Sequence, residues 1–315
     1  MLGTVRTRHL RQMEKGNTFK YMLSIIVVAY NPVAEKMKDT LISAISQEGI
    51  DFEIIVADDG SQKEYKDEIC QLFQDYQFKN YKLVMNPRNQ GTVKNIMSAL
   101  DVAEGEYVNT IGPGDCFYCR DTFQKWIEFL KNSEYDWAFS EAKYYTAEAG
   151  EKRYISEIAH PQIVKPYLSH REKKCRWNYL VLKDIALGAS LICKMDIYKE
   201  HLRIIMEAGV KYAEDNVWRY LMFKGNVGTY YPEITILYEY GTGISTSSNE
   251  IWKTRLSSDW KSTDKLIEGT QGVNRYQRRM VRNMKRLNSF WGKLFCQGKV
   301  RYSLHWRLFK RMTPV

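Results

Sequence analysis

The sequence predicts an α/β protein with a Rossmann-like mixed sheet, mostly parallel and flanked by helices, and a basic α-helical C-terminal extension. Three observations predict it. Leu23-Ser24-Ile25-Ile26-Val27-Val28-Ala29 and Glu53-Ile54-Ile55-Val56-Ala57 are short apolar, mainly β-branched runs that stop at polar turn residues. This is the pattern of strands buried on both faces of a parallel sheet. Between them, residues 34–48 place Met37, Leu41, Ile42, Ala44 and Ile45 at helical spacing, so the three segments read as a right-handed βαβ crossover. Charge is divided unevenly: residues 251–315 hold 16 Lys/Arg against 3 Asp/Glu, residues 1–250 hold 31 against 34, and the whole chain is +10.

The remaining elements follow in order. Residues 62–76 read as a helix, Tyr81 to Met85 as a third strand, and Asn89-Gln90-Gly91 as a turn before a helix from Val93 to Ala103. Gly105 to Ile111 is a fourth strand that ends in Gly112-Pro113-Gly114-Asp115. A helix over 121–132 buries Phe123, Trp126, Ile127 and Leu130. Stretches near 136–146 and 152–157 read as a hairpin turning at Glu148-Ala149-Gly150. The polar, basic and aromatic stretch 159–184 carries no pattern that assigns it. Ser190 to Cys193 reads as a strand, 195–208 as a helix, Glu214-Asp215 as the opening of a short helix, and 227–238 as a strand. Three regions result: an N-terminal arm over 1–20, a catalytic-size domain over 21–247, and a helical extension over 248–315.

Several classes drop out. No window of 18 apolar residues exists, so no transmembrane helix is expected. The basic N-terminus lacks the apolar core of a secretory signal. The six cysteines show no disulfide-framework spacing, which fits a reducing cytoplasm, and the lone Cys116-x-x-Cys119 pair reads as structural. The five histidines show no metal-ligand spacing.

The first two strands both end in polar residues, so Tyr30, Asn31, Asp58 and Asp59 crowd the carboxyl edge of the sheet, where open α/β sheets bind ligands. Asp58-Asp59-Gly60-Ser61 also reads as an N-capping turn. Five segments in this order, LSIIVVAYN, EIIVADDGS, NQGTVKN, AEGEYVNTIGPGDCFY and YAEDNVWRYL, resemble the family 2 glycosyltransferases over roughly residues 22–245. The resemblance implies a GT-A fold and inverting transfer of a sugar from a nucleotide-diphosphate donor, with a UDP-sugar expected and GDP- or dTDP-sugars as alternatives.

The resemblance also implies roles. Ala29, Tyr30, Asp58 and Asp59 would bind the nucleotide, the ring of Tyr30 stacking on the base. Gly91 permits a tight turn. Lys94 falls near the family's basic position and would meet base or phosphate, against the plainer reading of a solvated helix lysine. Of the family's D-x-D acids only Asp115 remains, within Gly112-Pro113-Gly114-Asp115. Asp115 would hold Mg²⁺ or Mn²⁺ on the diphosphate, and Gly114 would let backbone approach it. Asp215 would be the general base, with Glu214 and Gly188 on the acceptor side. Tyr238 to Thr246 resembles a Gly-rich loop over the diphosphate, with tyrosines where relatives carry a histidine. The thinned acid motif also motivates a rival reading, a catalytically weak module that scaffolds an active transferase.

The basic extension places Val273, Tyr276, Met280, Met284, Leu287, Trp291, Leu294 and Phe295 on one helical stripe, with Arg275, Arg278, Arg279, Arg282, Lys285 and Arg286 on the other faces. A second aromatic and basic segment covers 301–311. This composition fits an anionic membrane interface, packing on the catalytic body, or nucleic acid. The expected partners are a nucleotide sugar, a surface-polysaccharide or lipid-linked glycan acceptor, and the inner face of the cell membrane. No nucleic acid is expected, because the near-neutral body offers no groove for it.

Overall fold

The computed structural model describes residues 19–63, 65–148, 151–155, 160–241, 243 and 249–288. Among them one nine-stranded sheet runs in the order β3-β2-β1-β4-β8-β6-β9-β5, with β7 paired to β6. β1 (Tyr21–Ala29), β2 (Phe52–Asp58), β3 (Tyr81–Met85) and β4 (Gly105–Ile111) are mutually parallel. β2 is buried along its whole length, as its unbroken apolar run predicts. Register places Ala29 opposite Asp58, and Val27 opposite Ile111. The strand ends that carry the polar residues therefore share one edge.

Beyond β4 the sheet becomes mixed. β8 (Leu191–Lys194) runs antiparallel to β4 and to β6 (Trp137–Glu148), and β9 (Thr229–Glu239) runs parallel to β6 with a bulge at Ser140 to Ala142. β6 and β7 (Glu151–Ile155) form the expected hairpin, whose turn residues 149 and 150 lie outside the described residues. The two-residue strand β5 (Cys116–Phe117) had no sequence signal. It pairs antiparallel with β9, Cys116 opposite Leu237. This pairing brings the end of β9 beside Asp115.

Helices cover both faces. α1 (Ala34–Ile45), α2 (Lys66–Asp75), α3 (Thr92–Leu100), α4 (Thr122–Lys131), α7 (Met195–Glu207) and α8 (Asn216–Lys224) match the amphipathic segments read from sequence within a few residues at their ends. The unassigned stretch holds α5 (Lys165–Leu168), α6 (Glu172–Trp177) and a π-helical turn over Asn178–Leu182, too short to show a 3.6-residue period. No helix among the described residues is long and apolar enough to cross a membrane.

The C-terminal extension forms α9 (Glu250–Gly269) and α10 (Arg275–Asn288). The stripe proposed for a bilayer is used differently over this range. Met280 and Met284 are buried in the main core, and Val273, Tyr276, Val281 and Leu287 pack against it. The Gln277 side chain donates to Phe223 O at 2.9 Å, and Arg176 lies over the Tyr276 ring at 5.3 Å. Burying this stripe against the body satisfies its apolar surface, which corrects the interfacial reading for residues 273–288 in favour of packing. Arg275, Arg278, Arg279, Arg282, Lys285 and Arg286 remain exposed. Trp291, Leu294, Phe295 and the segment 301–311 lie outside the described residues, as do residues 1–18.

Met280→Ala removes a fully buried side chain where α10 meets the core. It should destabilise the protein by about 2–5 kcal/mol, read as a lower midpoint in urea unfolding. An unchanged midpoint would show that α10 is not docked.

Candidate active site

The carboxyl edge of the parallel strands opens into a cleft of about 760 Å³. Tyr30, Asp59, Gly91, Gly112, Asp115, Gly188, Glu214, Asp215 and Glu239 line it, so the structure gathers residues from seven separated segments. Trp252, Leu256 and Trp260, one stripe of α9, close another wall. The extension therefore contributes to the cleft, although 248–315 reads in the sequence as a separate region.

At one end, Tyr30 stands just past β1, 47% exposed, with its ring open to the cleft. Ala29 is buried behind it, and its carbonyl accepts the Asp59 N–H at 2.9 Å. Asp59 is buried and its two oxygens accept the N–H groups of Gln90 and Gly91, each at 2.8 Å. Burial raises the pKa of this carboxyl, the two N–H donors oppose that, and neighbouring Asp58 adds to it. Asp59 thus fastens the 89–91 turn to the end of β2 while facing the cleft. Gly91 has φ +94°, and a Cβ there would meet Lys211 O at 2.7 Å. Val93 N donates to the same Lys211 carbonyl at 3.0 Å.

For three of the expected residues the structure shows other contacts or another place. Asp58 does not reach the cleft: its oxygens take the Ser61 N–H at 2.7 Å and the Ser61 hydroxyl at 2.5 Å, which is the turn-capping role. Lys94 is exposed on α3 and is not part of the cleft wall. Gly114 offers no free backbone to a ligand, because its N–H donates to Thr40 Oγ1 and its carbonyl accepts the Tyr145 hydroxyl. What Gly114 supplies, at φ +106°, is room: a Cβ would sit 2.4 Å from Glu239 Oε2.

Asp115 also lines the cleft. Its Oδ1 accepts the Glu239 N–H at 3.0 Å, and its carbonyl accepts Thr40 Oγ1 at 2.7 Å. Burial pushes its pKa up to about 8; the Glu239 N–H and the Lys36 ammonium work against that, and the Glu239 charge adds to it. Lys36 and Glu239, both missed in the sequence, form an ion pair at 2.6 Å. Lys36 is the cleft's basic side chain where Lys94 was expected.

The acidic pair Glu214 and Asp215 lines the same cleft. Asp215 stands at the start of α8 but makes no side-chain capping bond. A helix cap therefore does not account for it. Among the described residues its Oδ1 is buried without a hydrogen-bond partner, 2.7 Å from where a Cβ on Gly188 would be. Gly188 therefore clears the space the carboxylate occupies. Burial raises the pKa of both carboxyls, and for Glu214 the adjacent Asp215 charge raises it further. The preceding loop is held from α9: Asp259 Oδ2 accepts the N–H groups of Tyr212 at 2.6 Å and Ala213 at 2.9 Å.

Among the described residues no group of three or more His, Cys, Asp and Glu is arranged to hold a metal ion. The cleft nonetheless offers the carboxylates of Asp115 and Glu239, the latter with Oε2 buried and without a hydrogen-bond partner among the described residues, and hard oxygen ligands suit Mg²⁺ or Mn²⁺. His160 borders the cleft, whereas His170 stacks on Tyr135 elsewhere. Residues 242 and 244–248 of the Gly-rich loop lie outside the described residues.

Comparison with known proteins follows this geometry. The sequence profile of Glycosyl transferase family 2 matches residues 24–233. A search of curated proteins found no match. Among solved structures, Staphylococcus aureus TarS 1–349 in complex with UDP superposes with a TM-score of 0.58 at 18% identity, over 90% of this chain and 77% of that one. The same protein in complex with UDP-GlcNAc gives 0.58 at 17%, over 90% and 78%. The mannosyltransferase PcManGT from Pyrobaculum calidifontis, in complex with GDP-Man and Mn²⁺, gives 0.55 at 13%, over 91% and 79%. At these identities the likeness is one of fold, and that fold is GT-A.

Gly91→Ala should lower the unfolding free energy by roughly 1–3 kcal/mol, since it combines a left-handed φ with a backbone clash. A thermal melt matching the wild type would show that the 89–91 turn and the 211 carbonyl are not held in this close approach.

Proposed function

The chain belongs to glycosyl transferase family 2, and from that premise we propose that it is an inverting glycosyltransferase moving a sugar from a UDP-sugar to a glycan or lipid-linked acceptor. The observation that carries the reading is Asp215: a carboxylate at the cleft wall with one oxygen unpartnered, set in space that Gly188 leaves free. A carboxylate so placed is equipped to accept a proton.

Tyr30 and Asp59 hold the nucleotide, the first by ring stacking and the second through acceptor capacity left beyond its two backbone donors. The diphosphate lies towards Asp115, with Lys36 as a fixed cation nearby. When bound, Mg²⁺ or Mn²⁺, held by Asp115, would offset the charge that gathers on the leaving diphosphate. The acceptor hydroxyl enters from the Asp215 side and attacks the anomeric carbon. The bond from that carbon to the diphosphate oxygen breaks, and Asp215 takes the hydroxyl proton. A single displacement inverts the configuration. The retained Asp215 and Asp115 favour this reading over a catalytically weak scaffold.

The exposed arginines and lysine of α10 support contact with an anionic membrane surface from the cytoplasmic side, by charge rather than by insertion of its apolar stripe. Binding of the full chain to phosphatidylglycerol vesicles should accordingly be strong at low salt and largely lost at high salt. Binding that survives high salt would instead require apolar insertion.

Asp215→Asn should reduce sugar transfer by about 10²–10⁴-fold while leaving UDP affinity within a few fold. A base must be unprotonated to act, and burial raises the pKa of Asp215, so the wild-type rate should fall on acidification at a higher pH than an ordinary aspartate would give. Near-normal turnover in the variant would remove Asp215 from the mechanism.

A further inference from the structure

The donor-site reading leaves one buried group without a task. Glu239 ends β9, is 4% exposed and lines the cleft. Its Oε1 takes the Lys36 ammonium at 2.6 Å, while its Oε2 is buried without a hydrogen-bond partner among the described residues. Buried carboxylate oxygens are normally hydrogen-bonded or paired, so an orphan in a cleft wall calls for a ligand. The fold makes space for it. A Cβ on Gly114 would lie 2.4 Å from Oε2, so only glycine allows the carboxylate in this position.

Asp115 is its neighbour through the backbone. The N–H of Glu239 donates to Asp115 Oδ1 at 3.0 Å, and the pairing of β5 with β9 fixes the two chains in that register. The Glu239 backbone therefore lies against the Asp115 carboxylate, both residues line the cleft, and one ammonium is bound to Glu239 Oε1. With both carboxyls ionised this part of the cleft carries excess negative charge, which a divalent cation would compensate. Mg²⁺ and Mn²⁺ commonly bind through one or two carboxylates and fill the remaining positions with water and phosphate oxygens.

We propose that Glu239 is the second carboxylate of a divalent-cation site, its Oε2 and the Asp115 carboxylate taking Mg²⁺ or Mn²⁺ while Lys36 holds Oε1. The sequence motif around Asp115 is short of acids, and β9 restores one from 124 residues away. The inference rests on the donor-site reading, in which Asp115 faces the diphosphate. Lys36 then acts on the cation as well: its ammonium withdraws charge from the carboxylate and opposes a second positive ion.

The test is Mn²⁺ binding followed by electron paramagnetic resonance, with and without UDP, alongside UDP titration calorimetry in EDTA and a thermal melt. Glu239→Gln keeps the shape and an acceptor for Lys36 but removes the charge. It should weaken Mn²⁺ binding by roughly tenfold or more and leave UDP affinity in EDTA unchanged. Lys36→Met should tighten Mn²⁺ binding in the absence of UDP, and it decides the matter should the Gln variant melt near room temperature. If Glu239 only anchors Lys36, Glu239→Gln will bind Mn²⁺ as the wild type does and Lys36→Met will not tighten it; either result overturns the proposal. A wild-type protein that binds UDP in EDTA yet takes up no Mn²⁺ overturns it too and leaves the donor reading standing. Failure to bind UDP under any condition removes the donor reading itself.

Discussion

The architecture of the cleft depends on the desolvation of carboxylates. Asp59, Asp115, Glu214, Asp215 and Glu239 all line one concave surface, and burial raises the pKa of the first four. Holding acids in such a place is unfavourable unless donors, cations or ligands answer them. The fold answers some and leaves others. Asp59 has two backbone N–H groups, Asp115 has one, and Glu239 has an ammonium on one oxygen. Asp215 Oδ1 and Glu239 Oε2 have no hydrogen-bond partner among the described residues. The distribution separates acids that hold the scaffold together from acids left available for chemistry.

Glycines are the complement of that arrangement. Gly114 and Gly188 lie where a Cβ would press on Glu239 Oε2 and on Asp215 Oδ1, both buried without a hydrogen-bond partner among the described residues. Gly91 does the same for a backbone, letting the turn after β3 meet the Lys211 carbonyl two residues before Ala213. The turn over 89–91 and the loop carrying Asp215 are thereby tied directly, the Gly91 N–H to Asp59 on one side and the Val93 N–H to the Lys211 carbonyl on the other. A shift in either loop would be felt in the other, because hydrogen bonds on both sides fix the shared backbone.

The parallel half of the sheet was legible because its strands are buried on both faces, and sequence runs such as Ile54-Ile55-Val56-Ala57 have no other stable use. The edge formed by Tyr30 and Asp59 followed from where those runs stop. Misassignments came from contacts without a local signature. Asp58 and Asp59 are adjacent acids in one turn, and only the three-dimensional position of Ser61 tells which one caps it. Lys94 and Lys36 are both helix lysines near the strand ends, and the choice between them depends on which helix face meets the cleft. Glu239 is joined to Asp115 by a two-residue strand that periodicity cannot detect.

The C-terminal extension shows how composition can mislead about a partner. A basic helix with an apolar stripe is physically suited to a bilayer, yet the same stripe suits any apolar surface, and in α10 it covers the main core through Met280 and Met284. α9 goes further into function. Its Asp259 holds the N–H groups of Tyr212 and Ala213, and its Asp264 pairs at 2.5 Å with Arg219, buried on α8 one turn after Asp215. The loop and the helix that flank the Asp215 carboxylate are therefore both fixed from outside the region that the family profile covers. An unpartnered buried carboxylate would relax towards any donor its backbone allowed it to reach. These two anchors hold the backbone on either side of it, so the extension completes the wall of the cleft that carries Asp215 as well as stabilising the fold.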